Sequence, residues 1–171
     1  MCIRFNSFAF AFLIFFIASS SWPQKSVQTS CCNTWTSRID PSIVSEVKEV
    51  PSEYLNEDEF VHAVDCLLKL QGNIKEARFS GATNGNVSAV PPPATVEVAS
   101  LYYISYLYYQ RFDHANMVAL VGPSGKYNTS EDTLEAYGSY RKWFERVKKI
   151  GLKKAREQKL DPLAYTTVKW Y

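Results

Sequence analysis

Residues 94–112 read ATVEVASLYYISYLYYQRF, and the fold turns on this stretch. Val96, Val98, Leu101, Ile104 and Leu107 are joined there by Tyr102, Tyr103, Tyr106, Tyr108 and Tyr109, so a helix drawn through them is apolar or aromatic on nearly every side. Such a helix is buried in a protein core or spans a membrane. Glu97 and Arg111 bracket a run shorter than the roughly 20 residues a span needs, and the tyrosines would carry their hydroxyls into lipid. The stretch therefore reads as the central helix of a bundle.

Strong helix signals lie on both sides of it. Toward the N-terminus, Asn56 followed three residues later by Glu59 is an Asn version of the capping box, and Glu57 and Asp58 place negative charge on the positive end of the helix dipole. Phe60, Val64, Leu67 and Leu68 then recur at helical spacing until Gly72 supplies a stop. Toward the C-terminus, Thr129 or Ser130 is the N-cap, with Glu131 and Asp132 in the first turn. Leu134, Tyr137, Tyr140, Phe144, Val147 and Ile150 follow at helical spacing. The helix either runs on through Gly151 or breaks there, since glycine costs about 1 kcal/mol inside a helix. Pro162 closes the helical region, and residues 165–171 have the Thr, Val and aromatic content of a short strand or extended tail.

The expected fold is all-α: a small multi-helix bundle around the Tyr-rich helix, with a short C-terminal strand or tail. The composition agrees. A chain of 171 residues with 46% apolar residues and a net charge of +2 suits one globular domain and disfavours disorder, collagen and coiled coil.

The N-terminus has a different character. Of the first 20 residues 15 are apolar, and six of the ten Phe lie among them. Arg4, the uncharged run 8–18, and the small residues Ala18 and Ser20 make a secretory signal cut after Ser20, with a retained signal anchor as the weaker alternative. Residues 21–38 are expected to form a flexible arm and 39–171 a single helical domain. The implied location is the periplasm or the extracellular space. Cleavage removes Cys2 and leaves Cys31, Cys32 and Cys66 in an oxidising compartment. A bridge from Cys31 or Cys32 to Cys66, with Cys32 and Cys66 as the chosen pair, would close about 35 residues and stabilise the fold by roughly 3 to 4 kcal/mol.

Charge is sharply distributed along the chain. Residues 40–65 hold eight acidic side chains and Lys48, a net of −7, whereas 141–159 hold nine basic side chains with Glu145 and Glu157, a net of +7. Two such blocks attract one another within a fold or serve as separate docking faces. Lys148, Lys149, Lys153, Lys154 and Arg156 are the candidate contacts to an acidic protein or an anionic envelope component; nucleic acid is the least natural partner for an exported chain. Pro91, Pro92 and Pro93 end a Gly- and Asn-rich loop that is a second candidate recognition edge.

Catalytic signals are sparse. Neither His62 nor His114 lies in a metal pair with helical spacing or in a zinc-type Cys and His cluster, no phosphate loop or nucleophile elbow is present, and no metal or cofactor is expected. Asp113 and His114 are adjacent, which does not bring them face to face on a helix. His62 stands four residues before Cys66, a spacing that can activate a thiolate; a disulfide at Cys66 would cancel it, and a purely structural pair is the favoured reading. Asn86 and Asn128 match the glycosylation acceptor pattern. The expected function is that of an exported, non-catalytic binding protein. The alternative is a glycan binder or hydrolase using the Tyr-rich helix with Trp170 and Tyr171 as a stacking platform.

Overall fold

The computed structural model describes residues 32–43, 55–77, 93–110 and 118–171. The leader, most of the expected arm, Pro91, Pro92, Asn86 and the Asp113-His114 pair lie outside these residues. The described chain is mostly helical with one small two-stranded sheet.

Helix α1 (Glu57–Leu67) starts as its sequence predicts. Asn56 Oδ1 accepts from the Glu59 amide at 2.9 Å, and Glu59 Oε2 accepts from the Asn56 amide at 3.1 Å, completing a reciprocal capping box. After a 3-10 turn (Leu68–Leu70), Gly72 takes a left-handed conformation and donates its amide to Glu97 Oε2. Residues 73–77 then run against 94–97, with Ala77 N to Ala94 O at 2.9 Å and Val96 N to Lys75 O at 2.8 Å. These bonds clamp together the two ends of the Pro-rich stretch.

Helix α2 (Val96–Tyr109) is the Tyr-rich segment, and it is buried from Val98 through Tyr108 without interruption. Thr95 caps its start, and Gln110 ends it in the left-handed region. Helix α3 (Ser130–Ile150) is capped by Thr129, whose Oγ1 accepts from the Asp132 amide at 3.1 Å. It breaks at Gly151, with φ of +90°, a conformation glycine tolerates far better than any L side chain, and α4 (Leu152–Glu157) follows. Strand β1 (Leu120–Val121) pairs antiparallel with β2 (Lys169–Trp170), so the expected C-terminal strand is two residues long.

The core centres on one aromatic side chain from each long helix. Phe60 of α1, Tyr108 of α2 and Trp143 of α3 meet edge to face or tilted, with Tyr108 and Trp143 centroids 4.9 Å apart and Phe60 6.3 Å from each. Such pairs contribute beyond their area of burial. The Tyr-rich helix also needs partners for its neighbours' hydroxyls. Ser100 Oγ and Tyr137 OH lie 2.7 Å apart and share the Glu97 carbonyl; Ser105 Oγ bonds Tyr140 OH; Tyr108 OH donates to Ala155 O at 2.8 Å. The two serines are the small residues that let the α3 tyrosines approach α2.

Burial pushes the Tyr137 and Tyr140 hydroxyls well above the ordinary tyrosine value of 10.0, with the serine hydrogen bonds opposing only part of the rise. Tyr103 and Tyr108 are raised for the same reason. Below pH 10.0 both the folded and the unfolded chain keep these protons. Above it the unfolded chain releases protons that the folded chain retains, so stability is complete on the acid side of that value and falls as pH rises past it. Urea unfolding midpoints measured on the alkaline side of 10 should decline with pH, and the decline should flatten in a Tyr137→Phe, Tyr140→Phe variant; parallel curves would contradict this origin.

The segment expected to be a flexible arm is folded from Cys32 onward. Residues 32–36 form a helical turn, Trp35 and Ile39 enter the core, and Cys32 Sγ lies at disulfide distance from Cys66 Sγ with Cα atoms 5.3 Å apart. Tertiary packing overrides the polar, aperiodic local sequence here, because Trp35 is buried in the core and the cysteine pair ties the turn to α1. Asp40 ends the segment. Burial alone would raise its carboxyl, but hydrogen bonds from Ser42 and Asn73 hold it below the ordinary value.

Candidate functional site

The α3 helix segregates its side chains cleanly. Ala136, Tyr140, Trp143, Phe144 and Val147 form the buried stripe, while Lys142, Arg146 and Lys149, at spacings of four and three, form an exposed stripe on the opposite face. Lys153 and Lys154 are exposed on α4 beyond the break. Among the described residues, Lys142, Arg146, Lys149, Lys153 and Lys154 have no carboxylate at ion-pair distance. Within the described residues, this row of cations keeps its charge unneutralised.

The other predicted cations have structural engagements. Lys148 Nζ pairs with Glu145 at 2.6 Å and lies 4.7 Å from the Phe144 ring centroid. Arg156 is half-buried. Its Nε donates to Tyr108 O at 2.9 Å and Nη2 to Leu107 O at 3.0 Å, so the guanidinium satisfies carbonyls at the end of α2 while sitting 5.9 Å from the Phe60 ring. Arg141 is likewise held, donating to Gln71 Oε1 at 2.7 Å. Lys142 and Arg146, not singled out from sequence, belong to the exposed row; their spacing from Lys149 was the signal.

The described part of the acidic block forms no ion pair with this surface. Glu57, Asp58, Glu59 and Asp65 are exposed, and no ion pair joins the acidic and basic stretches among the described residues. One approach exists: a Cβ built on Gly151 would lie 3.5 Å from Glu57 Oε1, so that carboxylate faces the α3–α4 break.

Of the second recognition edge, Pro93 is exposed and Pro91 and Pro92 lie outside the described residues. The aromatic surface envisaged for a glycan is largely occupied. Tyr102, Tyr103, Tyr106 and Tyr108 are buried, and Trp170 packs edge-on against Tyr102 at 5.3 Å and donates its Nε1 to Tyr140 OH at 3.1 Å. Tyr171 is exposed but makes an edge contact with Tyr127. The C-terminal aromatics close the fold, and Glu135 secures the tail by accepting from the Thr166 hydroxyl and the Thr167 amide, bonds that hold its carboxyl below the ordinary value.

Asn128 is likewise engaged. Its Oδ1 accepts from Leu120 N at 2.8 Å, and its Nδ2, the atom a glycan would use, is buried. Glycosylation of the folded chain at this position is therefore blocked.

A cluster that sequence spacing only half revealed lies on the other side of α1. His62 and Cys66 are one turn apart, with Nε2 3.7 Å from Sγ, and Cys32 completes a trio whose donor atoms all fall within 4.8 Å of one another. Joined to Cys32, Cys66 offers no thiolate for His62 to activate. The spacing of four was visible; the arrival of Cys32, 34 residues away in the chain, was not.

No family model, no curated protein and no solved structure matches this chain. Among the described residues, no helix is long and apolar enough to cross a membrane.

Proposed function

We propose that the chain is an exported, non-catalytic binding protein: a small helical bundle, built around α2, that presents the basic row of α3 and α4 to an acidic protein or an anionic envelope component. The observation that carries this reading is the set of exposed cations, Lys142, Arg146, Lys149, Lys153 and Lys154, without carboxylate partners among the described residues. Charges left in solvent cost the fold little and steer an oppositely charged partner, with an effect that salt screens. The signal-like leader and the cysteine pair support export, since disulfides persist in oxidising compartments. The Pro-rich stretch between residues 77 and 94, whose ends are clamped together, is the second proposed contact, through Pro91, Pro92 and Pro93.

Reversing Lys142, Arg146, Lys149, Lys153 and Lys154 to Glu should abolish salt-sensitive capture of the partner in pull-downs from envelope extracts while helical circular dichroism is retained. Capture that persists undiminished would remove this face from the reading. Export is checked separately by the N-terminus of the secreted chain, expected at Ser21.

A further inference from the structure

We propose that Cys32, His62 and Cys66 form a zinc site when their disulfide is reduced. The donor atoms lie within 4.8 Å of one another, and His62 and Cys66 are already spaced for a shared ion. With Zn–S near 2.3 Å and Zn–N near 2.0–2.1 Å, a sulfur and a nitrogen on one tetrahedral zinc stand about 3.6 Å apart. The observed Nε2 to Sγ separation is 3.7 Å. Helical spacing of four places both side chains on one face of α1, so this separation is reached with no change in the helix backbone. Only Cys32 has to change: two thiolates on one zinc stand about 3.8 Å apart, and rotation about its χ1 moves Sγ from bonding distance toward that separation.

The chemistry balances with two co-reactants. A dithiol reductant gives its two hydrogens to the disulfide sulfurs and becomes a disulfide itself, leaving Cys32 and Cys66 as thiols. Zinc then takes both sulfurs as thiolates and the neutral imidazole of His62, and two protons leave to solvent. A divalent ion with two thiolates is a neutral unit, which suits Cys66, 1% exposed. Cys32 and His62 are half-buried, so the ion reaches solvent on one side and its fourth position is left to water. The metal also takes over the mechanical task of the disulfide, holding the segment that carries Trp35 and Ile39 onto α1. This site is independent of the basic face, and either proposal stands if the other falls.

The test uses the full chain with Cys2→Ser and Cys31→Ser, so that only the two cluster thiols remain. After phosphine reduction, added Co²⁺ should bind at one equivalent with thiolate charge-transfer absorption and the intense visible bands of tetrahedral cobalt, and Zn²⁺ should displace it. The oxidised chain should give neither band. His62→Ala should weaken the reduced chain's affinity by at least about tenfold while its helical circular dichroism is retained. Should reduction itself unfold the chain, zinc is expected to restore the helical signal. The proposal is overturned by a helical reduced chain without the cobalt bands, by equal affinity in His62→Ala, or by an unfolded reduced chain that zinc does not recover.

Discussion

Trp143→Ala is expected to destabilise the protein by about 3–5 kcal/mol, the range for emptying a large aromatic side chain from a packed core. Trp143 is 1% exposed and touches aromatic rings from both other long helices, Phe60 on α1 and Tyr108 on α2, with Tyr140 and Phe144 on its own helix. Two of these neighbours are held by hydrogen bonds and cannot simply turn to close a cavity there: Tyr108 by its bond to Ala155 O, Tyr140 by Ser105 and Trp170. Against a typical total of 5–15 kcal/mol, the variant should be close to unfolding at ordinary temperatures. Urea denaturation with an unchanged slope and a lowered midpoint is the expected signature. A loss below about 1 kcal/mol would mean that the three helices do not meet at this residue.

Cys32→Ser is expected to cost about 4 kcal/mol under oxidising conditions. The bridge spans 34 residues, and the loop-closure entropy it removes from the unfolded chain is of that size. The substitution should shift the unfolding midpoint to that of the reduced wild-type chain assayed without metal, and adding a reductant should then have no further effect. Cys31→Ser, by contrast, should leave the oxidised midpoint unchanged. Little loss in either variant would mean that the two adjacent cysteines exchange as partners of Cys66.

The elements that could be read directly are those whose causes lie within a few residues. The Asn56 and Glu59 capping box, the Thr129 cap with its acidic first turn and the break at Gly151 all depend on backbone groups within one helical turn; the box is present where the spacing predicted it, and the structure takes Thr129 and the break from the alternatives the sequence left open. Burial of α2 was legible for a similar reason, since a helix with no polar face has no side to offer water. The basic row was legible in part: positive charge near 141–159 was evident, but which cations remain in solvent was not.

Arg156 shows why. Its chemistry is that of Lys153 and Lys154, yet it lies against the end of α2, where the carbonyls of Leu107 and Tyr108 need donors. Nothing near residue 156 in the sequence announces a partner almost fifty residues earlier. The same holds for Asn128, whose surface-like sequon is spent on Leu120 N, and for Trp170, whose ring completes the core beside Tyr102.

Taken alone, the sequence determined the helical class, the helix starts and the buried status of the Tyr-rich segment, because capping, periodicity and apolar excess act over one or two turns. Tertiary structure alone decided that Cys32 and Cys66 meet with His62 beside them, that residues 32–36 form a helical turn, and that Arg156 turns inward while Lys149, Lys153 and Lys154 stay in solvent. Those outcomes follow from which helix ends and side chains meet after packing, and packing joins residues that no local pattern connects.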